Sequence, residues 1–335
     1  MKKGGNAYDA MIAVHLALAV VHPTAGNIGG GGFFVYYNSD GSSGSLDYRE
    51  MAPGKAFKDM YLDEEGNEIK GLSINGSLAI GIPGTVAGLF EVYDKFGSLP
   101  LETLFAPAIE LAEKGFILTK RQANSLNFSK GQINSINDSL SLFNKHFKEG
   151  DLFINKSLSN SLKLILKNGR DEFYQGSISK EIIEYVNQRN GILKEEDFQN
   201  YKAVWRKPVS FKYKDLNIIS MGPPSSGGIV LGQIFKMIEP FDVSQFNHNS
   251  TEYIQLLVEA ERRAFADRSK YLGDPDFNYI PVNELLSRNY LSNRMKNFSF
   301  ENSTKSESIS PGGIDFKESE ETTHYSIVDR FGNAV

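Results

Sequence analysis

Five of the seven positions from Gly26 to Gly32 are glycine, and the run leads straight into Phe33-Phe34-Val35-Tyr36-Tyr37. Glycine at this density cannot sustain a helix, whereas the aromatic and β-branched run after it reads as a strand. Upstream, Asn6 is a helix cap, and Ala7, Ala10, Met11, Val14, Ala17, Leu18 and Val21 recur at helical spacing. This predicts a helix to about Val21 that buries this face and is ended by His22-Pro23. The order is therefore helix, glycine loop, strand. Glycines let backbone N–H groups approach an anion closely, but this loop lacks the GK[ST] ending of a P-loop and opens a strand rather than a helix. A tight turn, or close backbone packing near a ligand, is the better reading.

Downstream, Asn38 to Gly44 is a turn region and Ser45 to Arg49 the returning strand. Gly84 to Phe96 and Leu101 to Lys114 read as helices, each closed by a glycine. The polar stretch from Thr119 to about Leu158 reads as surface helices and loops. Helices return at 159–167 and 178–188. Val209 to Met221 alternates as a hairpin around Lys214-Asp215, and Gly222 to Gly228 is a sharp loop before a helix at Ile229 to Ile238. A long helix spans Thr251 to Leu272. Residues 299–320 are polar and expected to be mobile, and Thr323 to Val328 reads as a strand followed by a turn at Asp329 to Asn333. The partner strand for that last element is missing before Val335, and an unpaired strand leaves backbone donors and acceptors unsatisfied. The expectation is a chain cut in the middle of a sheet.

Composition narrows the chemistry. With no cysteine there is no disulfide, thiolate nucleophile or thiolate metal site. The five histidines are scattered, so neither a metal nor another cofactor is expected. A net charge of -5 with no basic stripe argues against nucleic acid. No apolar run reaches the ~20 residues needed to span a bilayer. Lys2 and Lys3 before the apolar stretch from Ala10 to Val21 imitate a signal peptide, but Asp9, His15 and the helical spacing argue for a core helix.

Several residues invite a chemical role, each beside a plainer one. Ser225 and Ser226 sit outside any GxSxG elbow, so a rigid loop shaping a neighbouring site is preferred to a nucleophile. Glu259 and Arg263 stand one turn apart on the long helix, and a salt-bridged helix side is the preferred reading. Arg49 is either a surface charge or, at the end of a hairpin facing a site, a bidentate grip for a carboxylate. Thr322, in Glu321-Thr322-Thr323-His324, is either a strand start or a nucleophile. If the bond before it were cleaved, its freed α-amino group, of pKa near ~7.7–8.0, would sit beside Oγ as a base. Spacing alone does not separate these.

Seven segments in order resemble the γ-glutamyltranspeptidase family of N-terminal-nucleophile hydrolases: Gly4 to Ala10, His22 to Phe33, Asp47 to Pro53, Gly81 to Gly88, Pro223 to Gly228, Ala266 to Phe277, and Thr322 to Ser326. The resemblance implies an α+β four-layer αββα sandwich, incomplete here because the small subunit is missing. It implies a large-subunit region over 1–321 and the truncated start of a small subunit over 322–335. Autocleavage would fall between Glu321 and Thr322, with Thr322 the catalytic nucleophile and Arg49 the substrate-binding residue for the donor's α-carboxylate. The implied reaction is transfer of a γ-glutamyl group from glutathione or other γ-glutamyl small molecules to water, amino acids or peptides. The implied partner is the chain's own small subunit, and the implied location is periplasmic or extracellular.

By the family's pattern, the remaining donor-binding residues, the oxyanion-stabilising glycine pair and a second threonine that orients the nucleophile lie beyond residue 335, and the export signal before Met1. The expectation is that this chain alone neither matures nor turns over γ-glutamyl-p-nitroanilide. The alternatives are a cephalosporin-acylase-like or poly-γ-glutamate-processing amidase of the same superfamily, or a non-catalytic chain that binds γ-glutamyl ligands.

Overall fold

The computed structural model describes residues 1–137 and 141–310. In chain order its elements begin with α1 (Ala7–Val21), β1 (Phe33–Tyr37), β2 (Ser43–Asp47), α2 (Thr85–Phe96), α3 (Leu101–Lys114), β3 (Phe116–Ile117), α4 (Lys120–Ile136), β4 (Leu152–Phe153), α5 (Lys156–Asn168), α6 (Arg170–Tyr174), α7 (Ser177–Asn187) and α8 (Glu195–Gln199). They continue with β5 (Val204–Arg206), β6 (Val209–Tyr213), β7 (Leu216–Ser220), α9 (Gly227–Ile238), α10 (Thr251–Tyr271), α11 (Val282–Leu285) and α12 (Arg288–Arg294). The described residues form two compact units, one of Met1–Gly32 and Tyr48–Val204, the other of Phe33–Asp47 and residues 205–310.

The first unit is helical and is organised by α1, which packs on α2 and α3, while α3 packs on α5. Asn6 and Asp9 close a capping box at the start of α1. The Asp9 carboxylate also accepts from the backbone N–H of Ser98 (2.9 Å) and of Leu99 (3.2 Å) and from the Ser98 hydroxyl. Burial opposes ionisation of Asp9, but these donors hold its pKa below the usual range. Tyr8 stacks on Phe96 at 4.2 Å.

The buried side of α1 combines Ala7 and Met11, from the face its apolar spacing suggests, with Tyr8, Ile12, Leu16, Ala19 and Val20, whereas Val14 is 37 % exposed. Because nearly every position of α1 is apolar, its tertiary partners choose the face. The stretch from Ala10 to Val21 is thus a helix of the unit's core. The segment 119–158 also departs from its polar reading. Leu118, Ala123, Leu126, Phe147 and Phe153 make a small core there, with Phe116, Phe143 and Phe147 ringed around Phe153 at 5.5–6.1 Å.

In the second unit β1 and β2 pair antiparallel from Phe33↔Asp47 to Tyr37↔Ser43, and β5 extends the sheet in the order β1-β2-β5. The returning strand starts two residues earlier than its sequence suggests. The turn is tighter, closed by Asn38 N–H on Ser42 O (2.8 Å) and by Ser42 N–H on the Asp40 carboxylate (2.8 Å). β6 and β7 form the hairpin expected around Lys214-Asp215.

α9 packs on α10 and β6 around Val230, Ile234, Met237, Leu256, Ala260 and Ala264. On α10, Glu259 pairs with Arg263 as its spacing anticipates, but both side chains are buried, at 3 % and 2 % exposure. Thr304 and Ser306 join this cluster: Thr304 N–H donates to Glu259 (3.0 Å), and Arg262 donates to the Ser306 hydroxyl (3.0 Å). Within 299–310, Thr304 and Ser306 are thus bonded to α10, while 311–320 lies outside the described residues.

Candidate active site

Three backbone segments of the first unit converge on Arg49. The carbonyl of Gly30 accepts from Gly84 N–H (2.8 Å) and Thr85 N–H (3.0 Å) at the start of α2. Gly32 and Tyr48 exchange hydrogen bonds (3.2 and 3.0 Å), as do Met51 and Ile82 (3.2 and 2.7 Å). Arg49 and Glu50 are the two residues between these pairs, and both are exposed. The glycine loop is thus a place of close backbone packing, the better of its two sequence readings. Gly30 of the loop supplies a carbonyl to donors at a helix start.

Tyr48 explains why so many glycines gather here. Its side chain is 3 % exposed. A Cβ at Gly32 would sit 2.9 Å from its ring, and one at Gly88 would overlap the ring. At Gly31 a Cβ would lie 2.6 Å from Tyr48 O and 2.8 Å from Glu50 N. At Gly84 it would overlap the Tyr48 carbonyl and the Tyr201 hydroxyl. Gly84 and Gly88 are one helical turn apart, so they clear the same face of α2. Burial raises the pKa of the Tyr48 hydroxyl and lowers that of His15, whose ring lies 6.3 Å from the Tyr48 ring, to about 4.

Beneath Arg49 lies a tyrosine pair. The Tyr201 hydroxyl donates to Arg49 O at 2.7 Å. Tyr201 stacks on Tyr174 with centroids 5.5 Å apart and planes 8° from parallel. The Tyr174 hydroxyl donates to Pro83 O (2.8 Å) and accepts from Ala87 N–H (3.1 Å). Arg170 lies 4.4 Å over the Tyr174 ring and donates to Tyr201 O at 2.6 Å. The arrangement presents a guanidinium from a braced backbone, which suits bidentate capture of a carboxylate.

The other candidate residues divide clearly. Glu321, Thr322 and His324 lie outside the described residues. In the second unit Ser225 Oγ accepts from Gly227 N–H (3.2 Å) and Ser226 Oγ from Arg268 Nε (2.9 Å). Neither donor can act as a base for a nucleophile. Among the described residues no cluster of three or more His, Asp or Glu side chains is arranged to hold a metal ion. No described helix is long and apolar enough to cross a membrane. Tyr201, Tyr174 and Arg170 escaped the sequence reading, since no local motif connects Tyr201 to a residue 152 positions away.

The crystal structure of Helicobacter pylori gamma-glutamyltranspeptidase superposes with a TM-score of 0.90 at 42 % identity, covering 95 % of this chain and 93 % of that one. This likeness defines the class first: an α+β fold of the N-terminal-nucleophile hydrolases. The family profile described as Gamma-glutamyltranspeptidase matches residues 1–335. The glutathione hydrolase proenzyme of Escherichia coli (strain K12) is 42 % identical over 339 residues, 100 % of this chain and 58 % of the relative. The acylase ACY 1 proenzyme of Pseudomonas sp. (strain SE83) is 32 % identical over 99 % of this chain and 60 % of its own length. The chain belongs to the γ-glutamyltranspeptidase family. It spans about three fifths of the length of these curated relatives.

Proposed function

We propose that this chain supplies the donor-binding and nucleophile-bearing part of a γ-glutamyl-transferring enzyme, with residues 1–321 as its large-subunit region. The observation that carries the reading is the bracing of Arg49. Its own carbonyl is held by Tyr201, and its neighbours are paired to Gly32 and Ile82. A γ-glutamyl donor, glutathione included, offers an α-carboxylate for that guanidinium. Arg49 sets the donor's position while the γ-carbonyl reaches the nucleophile.

Thr322 is the proposed nucleophile, freed by cleavage after Glu321. Its α-amino group takes the proton from Oγ as Oγ attacks the γ-carbonyl, and it returns the proton to the departing amine. The resulting γ-glutamyl ester passes its acyl group to water or to an amino acid or peptide amine. The region from Thr322 onward is the proposed small-subunit partner, and the periplasm or the cell exterior is the proposed compartment. The lower identity of the acylase relative, 32 % against 42 %, favours γ-glutamyl donors over acylase substrates.

The test uses the full precursor containing this chain. Arg49→Gln removes the charge and is expected to raise KM for γ-glutamyl-p-nitroanilide about 10–100-fold. Thr322→Ala is expected to abolish both processing and turnover. Unchanged hydrolysis in the threonine variant would overturn the mechanism, and an unchanged KM in the arginine variant would overturn the donor assignment.

A further inference from the structure

We infer that Tyr201 is a positioning residue for donor recognition, acting through the Arg49 carbonyl. The inference rests on the proposed role of Arg49 and extends it to a residue 152 positions away.

The backbone at the site leaves one weak point. Tyr48 is paired with Gly32 and Met51 with Ile82, so the Arg49–Glu50 peptide is the link that neither pair holds directly. A displacement of that peptide would carry the Arg49 Cα with it, and so move the whole guanidinium. The Tyr201 hydroxyl meets this peptide at its carbonyl, at 2.7 Å. Tyr201 is 2 % exposed, so its hydroxyl reaches the exposed Arg49 from a buried position.

The surroundings are shaped around this hydroxyl. A Cβ at Gly84 would overlap it, so glycine there keeps its path open. Tyr201 is held at both ends, by the near-parallel Tyr174 ring and by Arg170 on its carbonyl. A phenylalanine at 201 would retain the stacking and nearly all of the packing, and remove the hydroxyl that bonds Arg49. That makes the hydroxyl separable from the core.

The experiment is a double-mutant cycle in the full, processed enzyme, with Tyr201→Phe, Arg49→Gln and the pair together. KM for γ-glutamyl-p-nitroanilide, KM for a glycylglycine acceptor, kcat and the extent of maturation are read for each. Tyr201→Phe is expected to raise donor KM roughly 3–10-fold, with kcat, acceptor KM and maturation unchanged. In the Arg49→Gln background the same change is expected to leave donor KM where it was. Arg170→Met, which loosens Tyr201 from its carbonyl side and keeps the hydroxyl, is the second variant. It is expected to raise donor KM in the same direction, and it decides the matter if the phenylalanine variant does not mature.

An effect of Tyr201→Phe that is equal with and without Arg49, or that falls on kcat or acceptor KM, would mean a general packing role and overturn the inference. So would an unchanged donor KM in a Tyr201→Phe enzyme whose Arg49→Gln counterpart is impaired, and the Arg49 reading would then survive. A silent Arg49→Gln would remove both.

Discussion

Glu259 and Arg263 form an ion pair within α10 that is buried on both sides, with exposures of 3 % and 2 %. Arg263 also donates to Arg294 O (2.7 Å), to Asn297 (3.1 Å) and to the Thr304 hydroxyl (3.1 Å). Burial opposes the charge on Glu259, but Arg263 and Thr304 hold its pKa below the ordinary value. Such a pair adds little over an apolar substitute, but half of it is costly because the remaining charge has no solvent. Arg263→Met leaves Glu259 the partly exposed Arg262 (2.7 Å) as counter-charge and should destabilise the protein by about 3 kcal/mol. Glu259→Leu combined with Arg263→Met should recover much of that loss. Urea unfolding midpoints check both, and a single variant as stable as the parent would contradict the account.

Arg206 offers a contrast within one side chain. Its Nε donates to the buried Asp47 (2.8 Å), and its other nitrogens donate to the 56 %-exposed Asp276 (2.9 and 2.7 Å). Arg206→Met removes the guanidinium from the buried Asp47 and should cost about 3 kcal/mol. Asp276→Asn should cost under about 1 kcal/mol, because the exposed half is screened. Equal losses in chemical denaturation would refute this ordering.

His15 gives the stability a defined pH window. Burial depresses its folded pKa to about 4, from 6.5 in the unfolded chain. Between these values the unfolded state binds more protons, so stability is full above pH 6.5 and lost as pH falls toward 4. The total is on the order of 3 kcal/mol. His15→Phe should flatten the dependence of Tm between pH 4 and 6.5, and a slope as steep as the parent's would exclude His15 as its source.

Gly88→Ala tests the packing of Tyr48. A Cβ there overlaps the Tyr48 ring, and the ring has no room to retreat, since Gly32 bounds it as well. The expected loss is about 1–3 kcal/mol, with a rise in donor KM because Arg49 follows Tyr48 in the chain. A stable variant with unaltered KM would show that the ring can relocate at little cost.

What the sequence revealed and what it withheld follow the distance between interacting residues. β6 and β7 were legible because alternation and the Lys214-Asp215 turn are local. The pairing of Glu259 with Arg263 was legible from its one-turn spacing. Its burial was not, because the covering residues come from 31 to 45 positions later. The extent of α1 was readable from its cap and from His22-Pro23, but its buried face was set by Ser98, Leu99 and Phe96. The five-residue helices α6 and α8 are too short to carry a period. At the site, Arg49 stood out through the motif around it, and the glycines of 26–32 and 81–88 stood out as unexplained punctuation. For Gly31, Gly32, Gly84 and Gly88 the reason is the close approach of Tyr48 and Tyr201, and only the folded chain brings these together.

The two-residue gap between the Tyr48–Gly32 and Met51–Ile82 pairs sets the terms on which this surface can be re-engineered. Positions 49 and 50 are exposed and their side chains can be varied, while an added Cβ at 31, 32, 84 or 88 meets Tyr48 or Tyr201 closer than 3.0 Å. A library meant to change the acid group that the protein recognises belongs at those two positions. The same diversity spread across the glycines would mostly return misfolded clones.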